Sequence, residues 1–257
     1  MYRPYTVVDI RTENERTKSL VLDGSLDAEP GQFVMVWLPG VDARPFSVAG
    51  DAPLTLMVVA VGPFSRALHD LHRGDSLWIR GALGHGFRFP ERMPGKRLLL
   101  VAGGYGVAPL QFLARRAVEA GARVDVAIGA RTRTEVLLSD AFERVAADVW
   151  VTTEDGSAGE RGRVTVAVER VVADRRPDVI YGCGPIPMLQ ALEAICKRAG
   201  LPYQLSWEAR MRCGMGLCGA CEVHDSTREG WLACTDGPVY IDEGVLSESS
   251  GSPEVKA

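Results

Sequence analysis

The sequence predicts an antiparallel β barrel or sandwich, followed by an α/β domain with a parallel sheet and by a small cysteine-rich lobe. Three observations predict this fold. Short apolar runs separated by Gly, Pro and Asp fill residues 1–96, apolar strands alternate with helical patterns over 97–204, and four of the six cysteines fall within 205–257. A length of 257 residues corresponds to about two domains of ordinary size.

The first 96 residues are expected to be β-rich, because apolar runs recur there at close spacing between turn residues. The predicted strands are residues 5–10, 19–22, 33–38, 45–49, 54–61 and 76–79. One short helix is expected over 65–71, where Leu68 and Leu71 share a face and Gly74 follows as a stop. This rhythm favours an antiparallel barrel or a sandwich.

The pattern changes near Pro94 and Gly95, after which strands and helices alternate. The predicted strands are residues 97–102, 123–128, 148–153 and 178–181, and the predicted helices are 108–120 and 187–199. Such alternation indicates a parallel sheet built from right-handed crossovers. From about Leu205 the helix and strand patterns fade while Gly and Cys become frequent, and the Ser- and Glu-rich residues 247–257 are expected to be frayed.

The composition excludes several functions. Hydrophobic residues make up 46% and charged residues 24% of the chain, as in ordinary globular domains. The net charge of −4 gives no support for nucleic acid or an anionic membrane as a partner, because both favour basic surfaces. Charged residues from Arg3 onward interrupt any apolar signal core, and we expect a cytoplasmic chain without a membrane segment.

Four cysteines have the spacing of a metal-cluster loop, Cys213-x4-Cys218-x2-Cys221-x12-Cys234. The first three follow the plant-ferredoxin pattern for a [2Fe–2S] cluster. Glycines between them let the loop wrap closely around an inorganic core and direct backbone N–H groups at the sulfurs. A structural zinc site with four thiolate ligands is the alternative, although its ligands more often come in two short-spaced pairs. Cys196 lies on an apolar helix stripe and is interpreted as a core residue.

Two glycine-rich turns each end a predicted strand and begin a predicted helix. The first contains Gly103, Gly104 and Gly106, and the second contains Gly184 and Pro185. Backbone N–H groups in such turns can approach a pyrophosphate at a helix N-terminus, and ligands of α/β sheets bind at the carboxyl ends of strands. A tight turn without a ligand remains the alternative for either segment alone.

The predicted barrel has two segments that suit an anionic, aromatic ligand. In Arg44-Pro45-Phe46-Ser47 the guanidinium can bind a phosphate, the ring can cover an aromatic group and the hydroxyl can form a hydrogen bond. Gly62 and Ser65 precede the short helix, which is a second anion-binding arrangement. Taken alone, the first segment is better explained as an ordinary strand with a proline at its first residue.

The order of these motifs resembles that of the ferredoxin–NADP reductase superfamily, in which an FAD-binding barrel precedes a nicotinamide-binding α/β domain. The cysteine loop narrows the resemblance to the electron-transfer subunits of class 1B, NAD-linked dihydroorotate dehydrogenases, over about residues 3–245. The resemblance implies an FAD-binding barrel over 1–96, an NAD-binding domain over 97–204 and a [2Fe–2S] lobe with a tail over 205–257.

The resemblance also implies roles for single residues. It places Ser47 and Cys183 beside the reacting rings as catalytic residues. It implies cofactor contacts to FAD and NAD(H) from Arg44, Pro45, Phe46, Ser47, Met57, Val58, Val59, Gly62, Phe64, Ser65, Gly103, Gly104, Gly106, Gly184 and Pro185. It assigns the cluster to Cys213, Cys218, Cys221 and Cys234. Tyr105 is expected to narrow the opening to the nicotinamide.

The implied partner is an FMN-containing dihydroorotate dehydrogenase catalytic subunit, in a heterotetramer with two copies of each chain. Similar modules occur as the gamma subunit of soluble NAD(P)-linked hydrogenases and in transhydrogenase-type complexes, and a zinc-stabilised interaction module without flavin is a further alternative. Arg131 and Arg133 could recognise the 2′-phosphate of NADP, but a solvated face is the simpler interpretation, and the resemblance favours NAD.

Overall fold

Six antiparallel strands close into a barrel in the first half of the chain, in a computed structural model that describes residues 1–223 and 229–242. The strands pair in the order β1-β2-β5-β4-β3-β6. Their bounds are β1 (Arg3–Asn14), β2 (Thr17–Leu22), β3 (Phe33–Leu38), β4 (Asp42–Asp51), β5 (Leu54–Val59) and β6 (Ser76–Leu83). The short helix α1 (Pro63–His69) follows β5. The predicted antiparallel barrel is confirmed.

Strand β3 is apolar on both faces because both faces are covered. Val34 and Val36 point into the barrel core, whereas Phe33 and Met35 belong to a second core that includes cysteines of the C-terminal lobe. Successive side chains of a strand point to opposite faces, so an uninterrupted apolar run is what a strand between two cores requires. The lobe is therefore packed directly on the barrel wall.

The second half forms a seven-stranded sheet in the order β10-β9-β8-β7-β11-β12-β13. Its strands are β7 (Arg97–Gly103), β8 (Arg123–Ala130), β9 (Asp148–Thr153), β10 (Glu160–Arg161), β11 (Val179–Cys183), β12 (Tyr203–Ser206) and β13 (Val239–Ile241). Its helices are α2 (Val107–Glu119), α3 (Ser139–Glu143), α4 (Val164–Arg175) and α5 (Ile186–Ala199). All the strand pairs are parallel except β12 with β13, so the expected parallel-sheet domain is confirmed as a mixed, mostly parallel sheet.

Five elements of this half were not among the expectations from sequence, namely α3, α4, β10, β12 and β13. Helix α4 contains five valines, whose branched side chains have low helix propensity, yet Val164, Val168 and Val171 are buried against the sheet. Strands β12 and β13 are short, and β13 pairs antiparallel with β12 after the cysteine loop. The predicted fraying of residues 247–257 falls outside the described residues. Within the described ranges, no helix has both the length and the apolarity needed to cross a membrane.

Helix α2 joins the two halves. Phe112 projects from this helix into the barrel core, where it packs with residues such as Val48 and Leu54 and is fully buried. A hydrogen bond from the Asn14 side chain to the Thr134 carbonyl, at 2.9 Å, adds a contact between the β1–β2 turn and the α/β domain. These contacts fix the relative position of the barrel and the sheet.

Candidate functional site

A cavity of about 1210 Å³ lies between the barrel and the carboxyl ends of the parallel strands. Its size exceeds the ~300–1,000 Å³ of ordinary small-molecule pockets and suits a site for more than one large cofactor. The predicted cofactor and catalytic residues that line it are Arg44, Pro45, Phe46, Ser47, Met57, Val59, Gly62, Phe64, Ser65, Gly103, Gly104, Gly106, Cys183, Gly184 and Pro185. The barrel segments and the two glycine-rich turns, which the sequence predicts as separate ligand sites, therefore line one cleft.

Val58 is the predicted cofactor residue whose side chain lies elsewhere. It is fully buried in the barrel core, because strand β5 alternates and turns Met57 and Val59 toward the cavity instead. The backbone carbonyl of Val58 lies 2.9 Å from Nε2 of His69, inside the α1 packing. Any contribution of Val58 to a ligand would come from its backbone.

The turn before α1 is organised by Ser65. Its Oγ accepts hydrogen bonds from the backbone N–H groups of Val61 and Gly62, at 2.9 and 3.0 Å. Phe64 is buried in the barrel core with its ring centroid 6.1 Å from that of Phe46, and both rings also line the cavity. This arrangement holds the Gly62 turn open on the cavity side.

Thr17 is a cavity residue that the sequence reasoning missed. It pairs with Val59 in the barrel sheet, lies in the cavity wall and is buried, while its Oγ1 has no hydrogen-bond partner among the described residues. A buried hydroxyl without a partner is costly, so it points to a bound group that completes it. Together with the guanidinium of Arg44 and the aromatic Phe46, this polar atom fits a flavin on the barrel side of the cavity.

The two glycine turns lie against each other on the sheet side. A Cβ on Gly106 would overlap the carbonyl of Cys183, and a Cβ on Gly103 would collide with Met188 and Pro185. Glycine is therefore required where the β7–α2 and β11–α5 connections touch, which brings the N-terminal ends of α2 and α5 to one place. Tyr105 is half exposed at the rim of the same cavity.

Cys183 is a neutral thiol in this site. Burial raises the pKa of Cys183 to about 12, and Cys183 lies in register with Ser206 of the neighbouring strand β12. A raised pKa favours the neutral thiol over a thiolate nucleophile at pH 7. Its chemistry is limited to packing and to polar contact with a ring placed against it.

Strand β12 brings three further residues to the cavity that sequence reasoning missed. Ser206, Trp207 and Glu208 follow one another at the carboxyl end of β12, and all three line the cleft. A four-residue strand just ahead of a glycine- and cysteine-rich segment leaves no periodicity to detect. Only the pairing of β12 with β11 places them beside Cys183.

The four cluster cysteines lie in one lobe. Cys221 and Cys234 are buried in the core that the lobe shares with Phe33 and Met35, whereas Cys213 is half-buried and Cys218 is exposed. The backbone N–H of Gly216 also donates to Sγ of Cys234 at 3.2 Å. A [2Fe–2S] cluster takes four thiolate ligands, and these four cysteines of one lobe fit that requirement.

The electrostatics of the loop favour a thiolate at Cys213 but not at Cys234. The backbone N–H of Met215 lowers the pKa of Cys213 to about 6, whereas burial raises the pKa of Cys234 to about 11. Among the described residues, no three His, Cys, Asp or Glu side chains converge on a site for a metal ion.

Arg80 attaches the cysteine loop to the barrel. Its guanidinium donates to the backbone carbonyl of Cys213 and lies over the ring of Tyr2, 5.7 Å from the centroid. On its other side, Arg80 is in register with Met35 of strand β3, which is in turn in register with Pro45 of β4. Pro45, Met35 and Arg80 are thus neighbours across the three strands β4, β3 and β6, and they connect the segment Arg44–Ser47 with Cys213.

A barrel and an α/β domain that share one large cleft, with a lobe of four cysteines packed on the barrel wall, are features of nicotinamide-linked flavin reductases that carry an iron–sulfur lobe. Residues 208–245 match the iron-sulfur cluster binding domain of dihydroorotate dehydrogenase B, and residues 100–194 match an oxidoreductase NAD-binding domain. The chain is 38% identical over 248 residues to the probable dihydroorotate dehydrogenase B (NAD(+)), electron transfer subunit of Thermococcus kodakarensis, covering 96% of this chain and 99% of that relative. The chain belongs to this family of electron transfer subunits, and the resemblance inferred from sequence is confirmed.

Two further likenesses agree. The probable dihydroorotate dehydrogenase B (NAD(+)), electron transfer subunit of Methanopyrus kandleri is 37% identical over 263 residues, with 98% of this chain and 97% of that relative covered. Among solved structures, the chain is similar to the NADH-dependent reduced ferredoxin-NADP oxidoreductase studied for flavin-based electron bifurcation, with a TM-score of 0.82 and 28% identity over 97% of this chain and 94% of that one. The individual site residues remain predictions from sequence.

Proposed function

We propose that this chain carries electrons between NAD(H), FAD and a [2Fe–2S] cluster, and that it couples an FMN-containing dihydroorotate dehydrogenase catalytic subunit to the reduction of NAD⁺. The observation that carries the proposal is the position of strand β3. Its neighbour β4 lines the nicotinamide–flavin cavity, while Met35 of β3 packs in the core that includes two of the cluster cysteines. A single strand therefore separates the proposed flavin site from the proposed cluster site.

When bound, FAD exchanges a hydride with nicotinamide and single electrons with an iron–sulfur cluster, which is why the two kinds of site occur together. The protein's contribution is position. Ser47 and the neutral thiol of Cys183 lie on opposite walls of the cleft, one on the barrel and one on the sheet. A flavin ring and a nicotinamide ring bound between Ser47 and Cys183 would be held in contact. The junction at α2 fixes the distance between the barrel wall and the sheet wall of the cleft.

The cluster lobe offers the surface from which a partner would take electrons. The Leu217 side chain is 81% exposed and Met215 is 48% exposed, both within the loop between Cys213 and Cys218. Exposed apolar side chains beside a redox centre are suited to protein contact. We propose that the catalytic subunit docks here, in a heterotetramer with two copies of each chain.

The test is to purify the chain with its cofactors and measure two reactions. We expect NADH to reduce an artificial dye, and we expect dihydroorotate to be oxidised only after the FMN-containing subunit is added. Oxidation of dihydroorotate by this chain alone would contradict the proposed division of labour. Failure of NADH to reduce the dye would contradict the electron-transfer role itself.

The likeness to the NADH-dependent reduced ferredoxin-NADP oxidoreductase favours a second candidate for the partner. A chain of the same fold could serve a transhydrogenase-type or hydrogenase complex, as the motif order also suggested. Native purification with identification of the co-eluting chain separates the candidates. We also propose a cytoplasmic location, which is consistent with six free cysteine thiols, and cell fractionation would test it.

A further inference from the structure

The end of strand β8 is where this fold would meet the adenosine ribose of a dinucleotide. In nucleotide-binding α/β sheets an acidic residue about 20 residues beyond the glycine turn accepts a hydrogen bond from the ribose 2′-OH of NAD. In proteins that bind NADP, a nearby Arg binds the 2′-phosphate instead. Strand β8 ends at Ala130, and the next residue is Arg131, which lines the cavity. Position alone would therefore suggest a site for NADP.

Arg131 is already occupied by a carboxylate of its own chain. Its Nε donates to Oε2 of Glu135 at 2.9 Å, and its Nη2 donates to Oε1 of the same side chain. The hydrogen bonds and charge of Glu135 raise the pKa of Arg131, and those of Arg131 lower the pKa of Glu135. These two parallel hydrogen bonds to one carboxylate occupy the pair of guanidinium N–H donors that would otherwise bind a phosphate.

The surroundings of this pair add negative charge. Glu154 follows strand β9, lines the same end of the cavity and is close enough to Arg131 to affect its pKa. Two carboxylates therefore face one guanidinium at the position where a 2′-phosphate would be placed. A dianionic phosphate would have to displace Glu135 and approach both carboxylates, whereas a neutral 2′-OH would not.

The other arginines nearby are placed differently. Arg133 turns away, with its Nε donating to the Ser157 carbonyl at 2.9 Å. Arg163 precedes helix α4 on another part of the cavity wall. Arg16 lies in the turn between β1 and β2, lines the cavity and contributes to the lowered pKa of Glu135. Arg131 is the arginine that directly follows β8, so its engagement by Glu135 has the most direct effect on the ribose site.

We propose that Glu135 sets the preference for NADH over NADPH by holding the guanidinium of Arg131. This inference rests on the proposed nicotinamide function of the cavity. The exposed pair adds little to stability because solvent screens it, so its effect is on charge at the ribose site. Removing the carboxylate would leave Arg131 available to a 2′-phosphate.

The experiment measures NADH- and NADPH-dependent dye reduction by the purified full-length chain and by Glu135→Gln. We expect the ratio of kcat/KM for NADPH to that for NADH to rise about tenfold, which corresponds to about 1.4 kcal/mol and matches one hydrogen bond to a charged group. Inhibition by 2′,5′-ADP relative to 5′-AMP should strengthen by a similar factor. These two inhibitors differ only in the 2′-phosphate and report binding without turnover.

Two further variants control the result. Glu143→Gln removes an exposed carboxylate from the same domain and should leave the ratio unchanged. The double variant Glu135→Gln with Arg131→Gln should return the ratio to that of the unaltered chain. An unchanged ratio in Glu135→Gln, or a raised ratio that persists in the double variant, would overturn the inference. Absence of NADH activity in the unaltered chain would instead refute the proposed function.

Discussion

Replacing Phe112 by Ala should weaken the junction between the barrel and the α/β domain. The ring is fully buried in the barrel core although its helix belongs to the other domain. The guanidinium carbons of Arg115 and Arg116 lie 5.8 and 5.7 Å from the ring centroid, so the substitution also removes two cation–π contacts. Deleting a buried Phe costs about 3–5 kcal/mol, which is a large part of the ~5–15 kcal/mol that stabilises a domain.

The substitution should also lower the rate of hydride transfer. Hydride transfer needs the two walls of the cleft at one separation, and a displacement of about 1 Å can cost roughly 100-fold in rate. We therefore expect Phe112→Ala to lower the free energy of unfolding, measured by urea titration, and also to lower kcat for NADH-dependent dye reduction at a temperature where the variant is folded.

Phe142→Ala is the matched control. Phe142 is equally buried, but it belongs to the core that packs against the sheet and not to the barrel core that holds Phe112. It should lose comparable stability while keeping a kcat near that of the unaltered chain. Equal losses of kcat in the two variants would refute the junction argument, as would a change in unfolding free energy below about 1 kcal/mol for Phe112→Ala.

Three other substitutions test the remaining parts of the site. Gly106→Ala should raise KM for NADH at least severalfold in steady-state assays, because the added methyl group overlaps the Cys183 carbonyl and separates the two turns; an unchanged KM would argue against a site there. Arg80→Gln should lower the iron content per chain after dialysis by loosening the Cys213 carbonyl, whereas Arg73→Gln on the exposed surface should not. Leu217→Asp should weaken co-purification with the FMN-containing subunit while NADH-to-dye activity persists, and unchanged co-purification would place the docking surface elsewhere.

The architecture could be predicted from sequence because its signals are local. Glycine and proline turns separate the barrel strands, and the alternation of strand and helix after Pro94 is enough to predict a parallel sheet. The cysteine spacing was equally informative, since one loop supplies three of the four proposed ligands. In each case the residues that carry the information are close together in the chain.

The missed features depend on contacts distant in sequence. The valines of α4 favour a strand by propensity, and only packing against the sheet makes them helical. Thr17 becomes a cavity residue through its pairing with Val59, and Ser206 through the pairing of β12 with β11. Val58 points into the barrel core whereas Met57 and Val59 point into the cavity. Which side chains take which face depends on the strand register, and a short apolar run does not reveal it.

Strand β3 shows how the sequence connects structure to electron transfer. A barrel strand with one solvent-exposed face would alternate apolar and polar residues. Strand β3 instead has the apolar residues Phe33 and Met35 on the side away from the barrel core, because the cysteine lobe covers them. Gly214 has a φ of +61° and leaves little room beside Met35, since an added Cβ would lie 3.1 Å from Met35 Cγ. The loop is thus pressed onto the wall whose next strand lines the flavin side of the cleft. It follows that a bulkier residue at position 214 would move the first cluster ligand away from the barrel, so Gly214→Val should slow electron delivery to the cluster more than hydride uptake from NADH, a difference that stopped-flow absorbance would resolve.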